Sequence, residues 1–446
     1  AIIGSGIAGL SAAWALKQDH DVTLYERHPV LGMDAFSINL ASGSGTQRID
    51  VPMRVVYEAY YPNVTRLYRE AAIELEPLEY SGTFTRLNGP TYFSYRNLHV
   101  GPYAWPMLTG WRGLRIETGH IVVDALRFFA IVARDLRRGV AKGLTLQEYL
   151  SLRRFSAAFA DGFLLPALAG IFTCTYAAVR DCPAEVVLDY YARGLFHSPV
   201  KRVRHGTQDV VARLSAGVQH LRLGSAVETI TANETGATVC VAGIEEHFDH
   251  VVIASQANHA LRMLRGTPQE REALARFAYQ PSTVLLHSDA NLAPPERASW
   301  GPVNFILAPG AEMPMATIWM NAVHRNLGDN PVFQTWNPVI EPDPARVLGR
   351  VAVERPVVNA ESARGIAELE ALHAMPGRRI WFAGSYASPG VPLLESAVAS
   401  GLGVAGKISG RPIWPSACCT LRPRAAVRSS VRFASVHSIK PPGPLR

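Results

Sequence analysis

Apolar and polar positions along the chain alternate between two periods. Ile2-Ile3 reads as the buried end of a strand, followed by a run of small residues and then Ser11-Ala12-Ala13-Trp14-Ala15-Leu16, dense enough in apolar positions for a buried helix. Asp21-Val22-Thr23-Leu24-Tyr25-Glu26 alternates as a second strand and ends on an acid. Ala226–Ile230 and Ala237–Val241 read as two short strands around Asn233-Glu234-Thr235-Gly236, a hairpin turn, and Phe248–Ser255 as a further buried strand. Pro90–Arg96 reads as a strand. Ile121–Arg138 reads as a helix with Val122, Ala125, Phe129, Val132 and Leu136 on one apolar stripe. Near the end, Arg379–Phe382 predicts a strand and the stretch from Pro389 to Gly401 a loop and helix. The uncharged stretch from Gly162 to Val179 is interrupted by Pro166, Gly170, Thr173 and Thr175. It predicts a buried helix or helix pair rather than a membrane span.

The chain opens at Ala1 as if the start of the first strand were missing. The small-residue run Gly4-Ser5-Gly6-Ile7-Ala8-Gly9 spells GxGxxG between strand and helix. The three glycines serve different ends. Gly4 makes the tight turn, Gly6 lets the backbone approach a pyrophosphate, and Gly9 lets helix and strand meet closely. The helix N-terminus supplies N–H donors and a positive dipole end to the anion. Glu26, about twenty residues on, stands where a carboxylate accepts hydrogen bonds from ribose hydroxyls. This predicts a dinucleotide, without choosing between FAD and NAD.

The same domain is expected to be visited twice more. Val227 is placed to offer backbone groups to an adenine, and Gly384-Ser385 followed by Pro392-Leu393-Leu394 reads as a loop ending in a helix start. A helix start beneath an isoalloxazine ring favours the negative charge that appears there on reduction.

Together the opening, the middle strand pair and Phe382-Ala383-Gly384 resemble the FAD-dependent amine oxidase and phytoene desaturase superfamily. Within it the chain is most similar to the predicted NAD/FAD-binding (FAD-dependent amine oxidoreductase-like) family, through Phe163-Leu164-Leu165-Pro166, Trp319-Met320-Asn321, Asn337-Pro338 and Glu341-Pro342-Asp343-Pro344. The likeness runs to about Gly410. It implies an α/β, FAD-binding Rossmann-like fold of the two-dinucleotide-binding-domain type, with an interleaved α+β substrate domain. The boundaries expected are 1–53, 207–267 and 357–410 for the FAD-binding domain, 54–206 and 268–356 for the substrate domain, and a basic, disordered tail at 411–446. Arg27 and Gly32 join the cofactor set beside Glu26. The chain departs from the family at three points. One glycine stands where two are usual, Asp34 replaces an arginine, and Ser385-Tyr386 replaces an acid. No cysteine stands near Gly384, so the FAD should be non-covalent.

The activity implied is hydride transfer from an apolar, lipid-like or amine substrate to flavin N5, forming C=C or C=N, with oxygen or a quinone as electron acceptor. Bacterial members of the family stand beside genes resembling cyclopropane-fatty-acid synthases, which points toward lipid chemistry. The alternatives are a flavin-dependent double-bond isomerase and a non-catalytic lipid-binding escort protein of the same fold. Catalytic residues are not named by the sequence. For substrate contacts, Tyr176 and the pair Trp319 and Asn321 are candidates, the pair because alternate strand positions share a face. Tyr57, Tyr60, Tyr61 and Trp336 are further candidate walls of an apolar pocket.

At 446 residues the chain exceeds one simple core, which agrees with two domains. The net charge of +7 equals the seven basic residues from Arg411 onward, where no acid stands. The body is therefore formally neutral and lacks the basic stripe of a nucleic-acid binder. Five cysteines at irregular spacing and fourteen scattered histidines suggest neither a disulfide framework nor a metal site. The cytoplasm is the expected compartment. Arg134, Arg137, Arg138 and Lys142 at the end of the 121–138 helix suit the negative end of its dipole. They would also suit peripheral contact with a membrane.

Overall fold

A computed structural model describes residues 1–414, except 43–44, 101–102, 110–115, 194–197 and 325–326. The tail expected to be disordered lies almost wholly outside the described residues.

Five short strands form a parallel sheet in the order His220–Arg222, Thr23–Tyr25, Ile2–Ile3, Val251–Ile253, Ile380–Phe382. The four strands from Thr23–Tyr25 to Ile380–Phe382 in that order are buried at every position, as a parallel sheet covered on both faces requires. The helix Ile7–Leu16 lies against Leu394–Ile408, the last described helix. Their crossing is close: a Cβ on Gly401 would stand 2.3 Å from the Ala8 carbonyl oxygen. The opening motif and the final helix are thus in contact, although almost four hundred residues separate them.

Over this sheet lies a three-stranded antiparallel layer, Val227–Ala232, Ala237–Val241 and Ile244–Phe248. The expected hairpin is present, and Asn233 Oδ1 accepts the N–H groups of Thr235 and Gly236 in its turn. The single strand expected over 248–255 is two separate elements. Phe248 closes the antiparallel layer, and Val251–Ile253 belongs to the parallel sheet. Ile244-Glu245-Glu246-His247-Phe248 is apolar only at its ends, which hides it from a pattern search.

A separate eight-stranded mixed sheet has the order Val347–Pro356, Tyr279–His287, Phe333–Trp336, Met315–Trp319, Val303–Leu307, Gly82–Arg86, Thr91–Val100, Tyr103–Leu108. Its neighbours are antiparallel except for one parallel pair, Val303–Leu307 beside Gly82–Arg86. Helices Ile116–Arg137 and Leu165–Phe172 touch its strands. The fold class is therefore the mixed α/β one expected. Ala1–Ile413 forms one compact unit.

The long helix spans Ile116–Arg137, and its buried face differs from the expected stripe. Ile121, Asp124, Phe128, Val132 and Asp135 are buried, whereas Val122, Ala125, Phe129 and Leu136 are only partly so. Two of the buried positions are acids, which hydrophobic periodicity cannot find. Both are paired. Asp124 receives the Ser156 N–H and Arg127, and Asp135 receives the Tyr149 hydroxyl and Arg153. The uncharged stretch folds as helical turns over Ala160–Leu164 and Leu165–Phe172, stops at Thr173 with φ +51°, and resumes as Tyr176–Asp181. Among the described residues no helix is long and apolar enough to cross a membrane.

Candidate functional site

Glycine geometry fixes the opening loop. Gly4 has φ +104° and donates its N–H to the Tyr25 carbonyl at 2.8 Å. A Cβ on Gly9 would stand 1.9 Å from the Gly4 carbonyl oxygen, so only glycine fits there. A Cβ on Gly6 would meet nothing within 4 Å. The peptide around Gly6 is thus open in front, and a phosphate can approach it.

Glu26 is 5% exposed at the end of its strand. One carboxylate oxygen accepts from the Ser5 N–H at 3.0 Å and the Ser5 hydroxyl at 2.5 Å. The other accepts the His28 N–H at 2.9 Å. The Ser5 hydroxyl in turn accepts the Gly32 N–H at 2.6 Å. A Cβ on Gly32 would stand 2.8 Å from the carboxylate, so the one glycine present stands where there is no room for a side chain. Asp34, in the place of the usual arginine, pairs with Arg48 at 2.6 Å and accepts the Thr207 hydroxyl at 2.9 Å. It anchors the loop to the helix Gly206–Ser215 rather than facing a ligand.

The third segment is held from several directions. The Gly384 N–H donates to the Ser400 hydroxyl at 2.9 Å. Val391 donates its N–H to the Tyr60 hydroxyl at 3.1 Å, and the Ser396 hydroxyl donates to the Val391 carbonyl at 2.7 Å. These contacts fix the turn at Pro392-Leu393, after which the helix Leu394–Ile408 begins with its first N–H groups unused by the helix itself.

Gly6, Ile7, Ala8, Gly32, Gly384, Ser385, Pro392, Leu393 and Leu394 all line one cavity of about 470 Å³, a size typical of ligand sites. Gly4, Ser5, Gly9 and Glu26 do not line it; Ser5 and Glu26 meet its wall through Gly32. Arg27 is exposed and does not line it, and Val227 sits half-buried in the antiparallel layer, also off the cavity. Beyond the glycine loops the lining is aromatic, with Tyr57, Tyr61, Tyr190, Phe163, Phe305 and Trp336. Burial pushes the Tyr57, Tyr61 and Tyr190 hydroxyls above their ordinary pKa, so these rings stay neutral. The buried Tyr386 hydroxyl, on a residue of the same wall, has no hydrogen-bond partner within the protein.

The expected substrate residues are placed elsewhere. The strand that was to carry Trp319 and Asn321 on one face ends at Trp319, and Met320–Val323 is a helical turn. Trp319 stacks edge-on against Trp300, while Asn321 clamps a loop by donating to the Gly328 and Asn330 carbonyls and accepting the Val332 N–H. Tyr176 starts the helix Tyr176–Asp181. None of the three lines the cavity. Sequence reasoning named Tyr57, Tyr61 and Trp336 as candidate walls but missed Arg54 and Arg355, which also line it. Their signal was faint: Arg54 is one arginine inside an otherwise apolar stretch, and Arg355 directly follows Glu354 as an ordinary charged pair would.

Among the described residues no histidine or cysteine lines the cavity. Its acid Glu354 is turned toward Asn258, whose amide it accepts at 2.9 Å. The wall can position and enclose a substrate.

Residues 2–71 match the model of the NAD(P)-binding Rossmann-like domain. No curated protein matches the chain in sequence. Solved structures do match in fold. A fatty acid isomerase from P. acnes that produces CLA superposes with TM-score 0.63 at 16% identity, over 92% of this chain and 97% of that one. The cyclohexylamine oxidase from Brevibacterium oxydans gives TM-score 0.61 at 14% identity, over 92% and 98%. A protein from Exiguobacterium described as a protoporphyrinogen oxidase gives 0.58 at 15% identity, over 91% and 97%. The glycine loop, the parallel sheet and these superpositions agree: the chain opens on a segment that matches the NAD(P)-binding Rossmann-like domain and shares its fold with these solved structures.

Proposed function

We propose that the chain is an FAD-dependent oxidoreductase acting on an apolar or amine substrate. The observation that carries this reading is the convergence of the Ser5–Glu26–Gly32 cradle and the Leu393-Leu394 helix start on one aromatic-walled cavity. Glu26 would hold ribose hydroxyls, the open peptide at Gly6 the pyrophosphate, and the turn at Pro392–Leu394 the flavin edge. In this reading 1–53, 207–267 and 357–410 bind the cofactor, and 54–206 and 268–356 enclose the substrate. When bound, FAD would supply the hydride acceptor at N5, leaving a C=C or C=N bond in the substrate, with oxygen or a quinone as the final acceptor. The protein's part is to bind, orient and exclude water. No described cysteine lines the cavity, which supports non-covalent FAD.

A redox-neutral double-bond isomerisation in the same cavity is the second reading, favoured by the fold shared with the fatty acid isomerase. Peripheral membrane contact is supported by the helix Ile116–Arg137, which leaves Ile116, Val123 and Leu126 exposed near Arg127 and Arg134.

The test is an absorbance spectrum of the purified protein followed by anaerobic titration with alkylamines and fatty acids. Bleaching of a flavin band by a substrate supports the oxidoreductase, and turnover to a shifted double bond without lasting bleaching supports the isomerase. Glu26→Ala should weaken FAD binding by about 1.5 to 3 kcal/mol, the worth of a hydrogen bond to a charged group. An unchanged dissociation constant removes Glu26 from the site.

A further inference from the structure

Two guanidinium groups on the cavity wall lack the anion that such groups ordinarily require. Arg355 lies near the end of the strand Val347–Pro356, with its guanidinium carbon 5.4 Å above the centre of the Trp336 ring. Its Nε is buried without a hydrogen-bond partner. Arg54 donates one bond, to the Pro52 carbonyl at 3.2 Å. Neither arginine has an ion-pair partner among the described residues. Of the nearby acids, Asp50 accepts the Thr207 N–H and acts on Arg54 through its charge without an ion-pair contact among the described residues, and Asp34 is paired with Arg48. Both side chains retain some accessible surface although they lie deep in the fold, and the cavity they line accounts for it. Burial, and then the charge of Arg54, push the Arg355 pKa down to about 10; burial also lowers that of Arg54.

Two like charges in a poorly solvated wall repel each other, and an anion between them would relieve both costs. A planar carboxylate matches the guanidinium fork, whereas an ammonium group would add a third positive charge. These arginines also stand apart from the phosphate cradle. Arg355 and Trp336 belong to the eight-stranded sheet. Met53, beside Arg54, is tied to that sheet by donating its N–H to the Gln334 side chain at 2.7 Å.

We propose that the substrate is an apolar carboxylic acid whose carboxylate is held by Arg54 and Arg355, with its hydrocarbon part against Tyr57, Tyr61, Phe163 and Phe305. This rests on the reading of the cavity as a substrate site, and it selects an acid over an amine.

Calorimetric titration of the FAD-loaded protein with decanoate, methyl decanoate and decylamine tests it. These probes share one chain and differ in the charge of the head. Decanoate should bind about ten-fold or more tightly than either of the others, as expected for loss of a charge-assisted hydrogen bond. Arg355→Met keeps a long apolar side chain over Trp336. It should weaken decanoate by a similar factor, leave methyl decanoate unchanged, and keep both FAD and thermal stability. Equal binding of the three probes by the unaltered protein overturns the proposal, whatever the variant does. So does an Arg355→Met protein that binds decanoate normally, or one that folds but loses FAD, since the arginine would then serve the cofactor. Binding heat does not depend on flavin reduction, so anaerobic bleaching in parallel reads the oxidoreductase proposal separately.

Discussion

The carboxylate of Glu395 caps the helix Pro62–Glu70, accepting the backbone N–H groups of Asn63 and Val64 at 3.1 Å and the Asn63 amide at 2.6 Å. One acid in the first turn of the last helix thereby holds the start of another helix 332 residues earlier in sequence.

Removing that cap should loosen the cofactor turn along with the helix. Glu395→Ala is expected to cost about 1 to 2 kcal/mol, the range for a lost N-cap. Burial raises the Glu395 pKa above its ordinary 4.5, against the pull of its N–H donors. The native state therefore holds the proton more firmly than the unfolded chain, and stability declines as pH rises from about 4.5 through the raised value. Glu395→Gln keeps an acceptor without the charge, so its melting temperature should depend less on pH over that window. A pH profile identical to that of the parent would show that this carboxylate does not contribute.

Gly6 and Gly9 make a discriminating pair. Gly9→Ala drives a Cβ into the Gly4 carbonyl and should destabilise the FAD-free protein outright. Gly6→Ala meets no protein atom within 4 Å, so the melting temperature of the FAD-free protein should be nearly unchanged while FAD affinity falls. Equal losses of stability in both variants would mean that the space before Gly6 is not a ligand cradle.

Tyr60 is the hydrogen-bond acceptor for the Val391 N–H just before the turn. Tyr60→Phe should cost about 1 to 3 kcal/mol, the penalty of leaving a buried donor unpaired. FAD affinity should fall with it. Chemical denaturation and flavin fluorescence on the same preparation measure both quantities, and an intact affinity would separate Tyr60 from the cofactor turn.

Buried His287 and half-buried His324 and His373 should shape the acid limb of stability. Burial lowers the pKa of His373 to about 3, His324 to about 3 and His287 to about 4. His373 Nε2 accepts the Phe382 N–H at 3.0 Å and must be unprotonated to do so. Each binds its proton more readily in the unfolded chain. Stability is therefore fully present above about pH 6.5 and declines as pH falls toward the folded values, by at most about 1.4 kcal/mol per pH unit per histidine. His373→Gln should reduce the slope of melting temperature against pH between 6.5 and 4. A slope unaltered by that change assigns the acid limb to other groups.

Local chemistry was legible and tertiary pairing was not. Gly4, Gly6, Gly9 and Glu26 could be read because a phosphate loop needs its glycines at fixed spacing within a single strand, turn and helix. Asp124 and Asp135 could not be read as core, because their burial depends on Ser156, Tyr149 and Arg153, whose approach no periodicity announces. The pairing of Trp319 with Asn321 failed at one local fact, a strand that ends two residues before Asn321. Arg54 and Arg355, about three hundred residues apart in sequence, meet only after folding has brought them to one cavity.

The strand order of the parallel sheet also governs the order of events during synthesis. Ile2 lies between Leu24 and Val252, and Val252 in turn beside Trp381. Once synthesised, the strand Ile2–Ile3 therefore waits for Val252 some 250 positions later, and for the strand of Trp381 some 380 positions later. At about 5 to 20 residues per second, that wait is tens of seconds. In that interval the apolar strand Ile2-Ile3 and the helix after it have no completed sheet to enter, and pairings of such long sequence separation form slowly. On the proposed placement of FAD, its capture is a late step that follows emergence of the turn at Pro392–Leu394. A nascent chain arrested before residue 380 should neither retain FAD nor protect its opening loop from proteolysis.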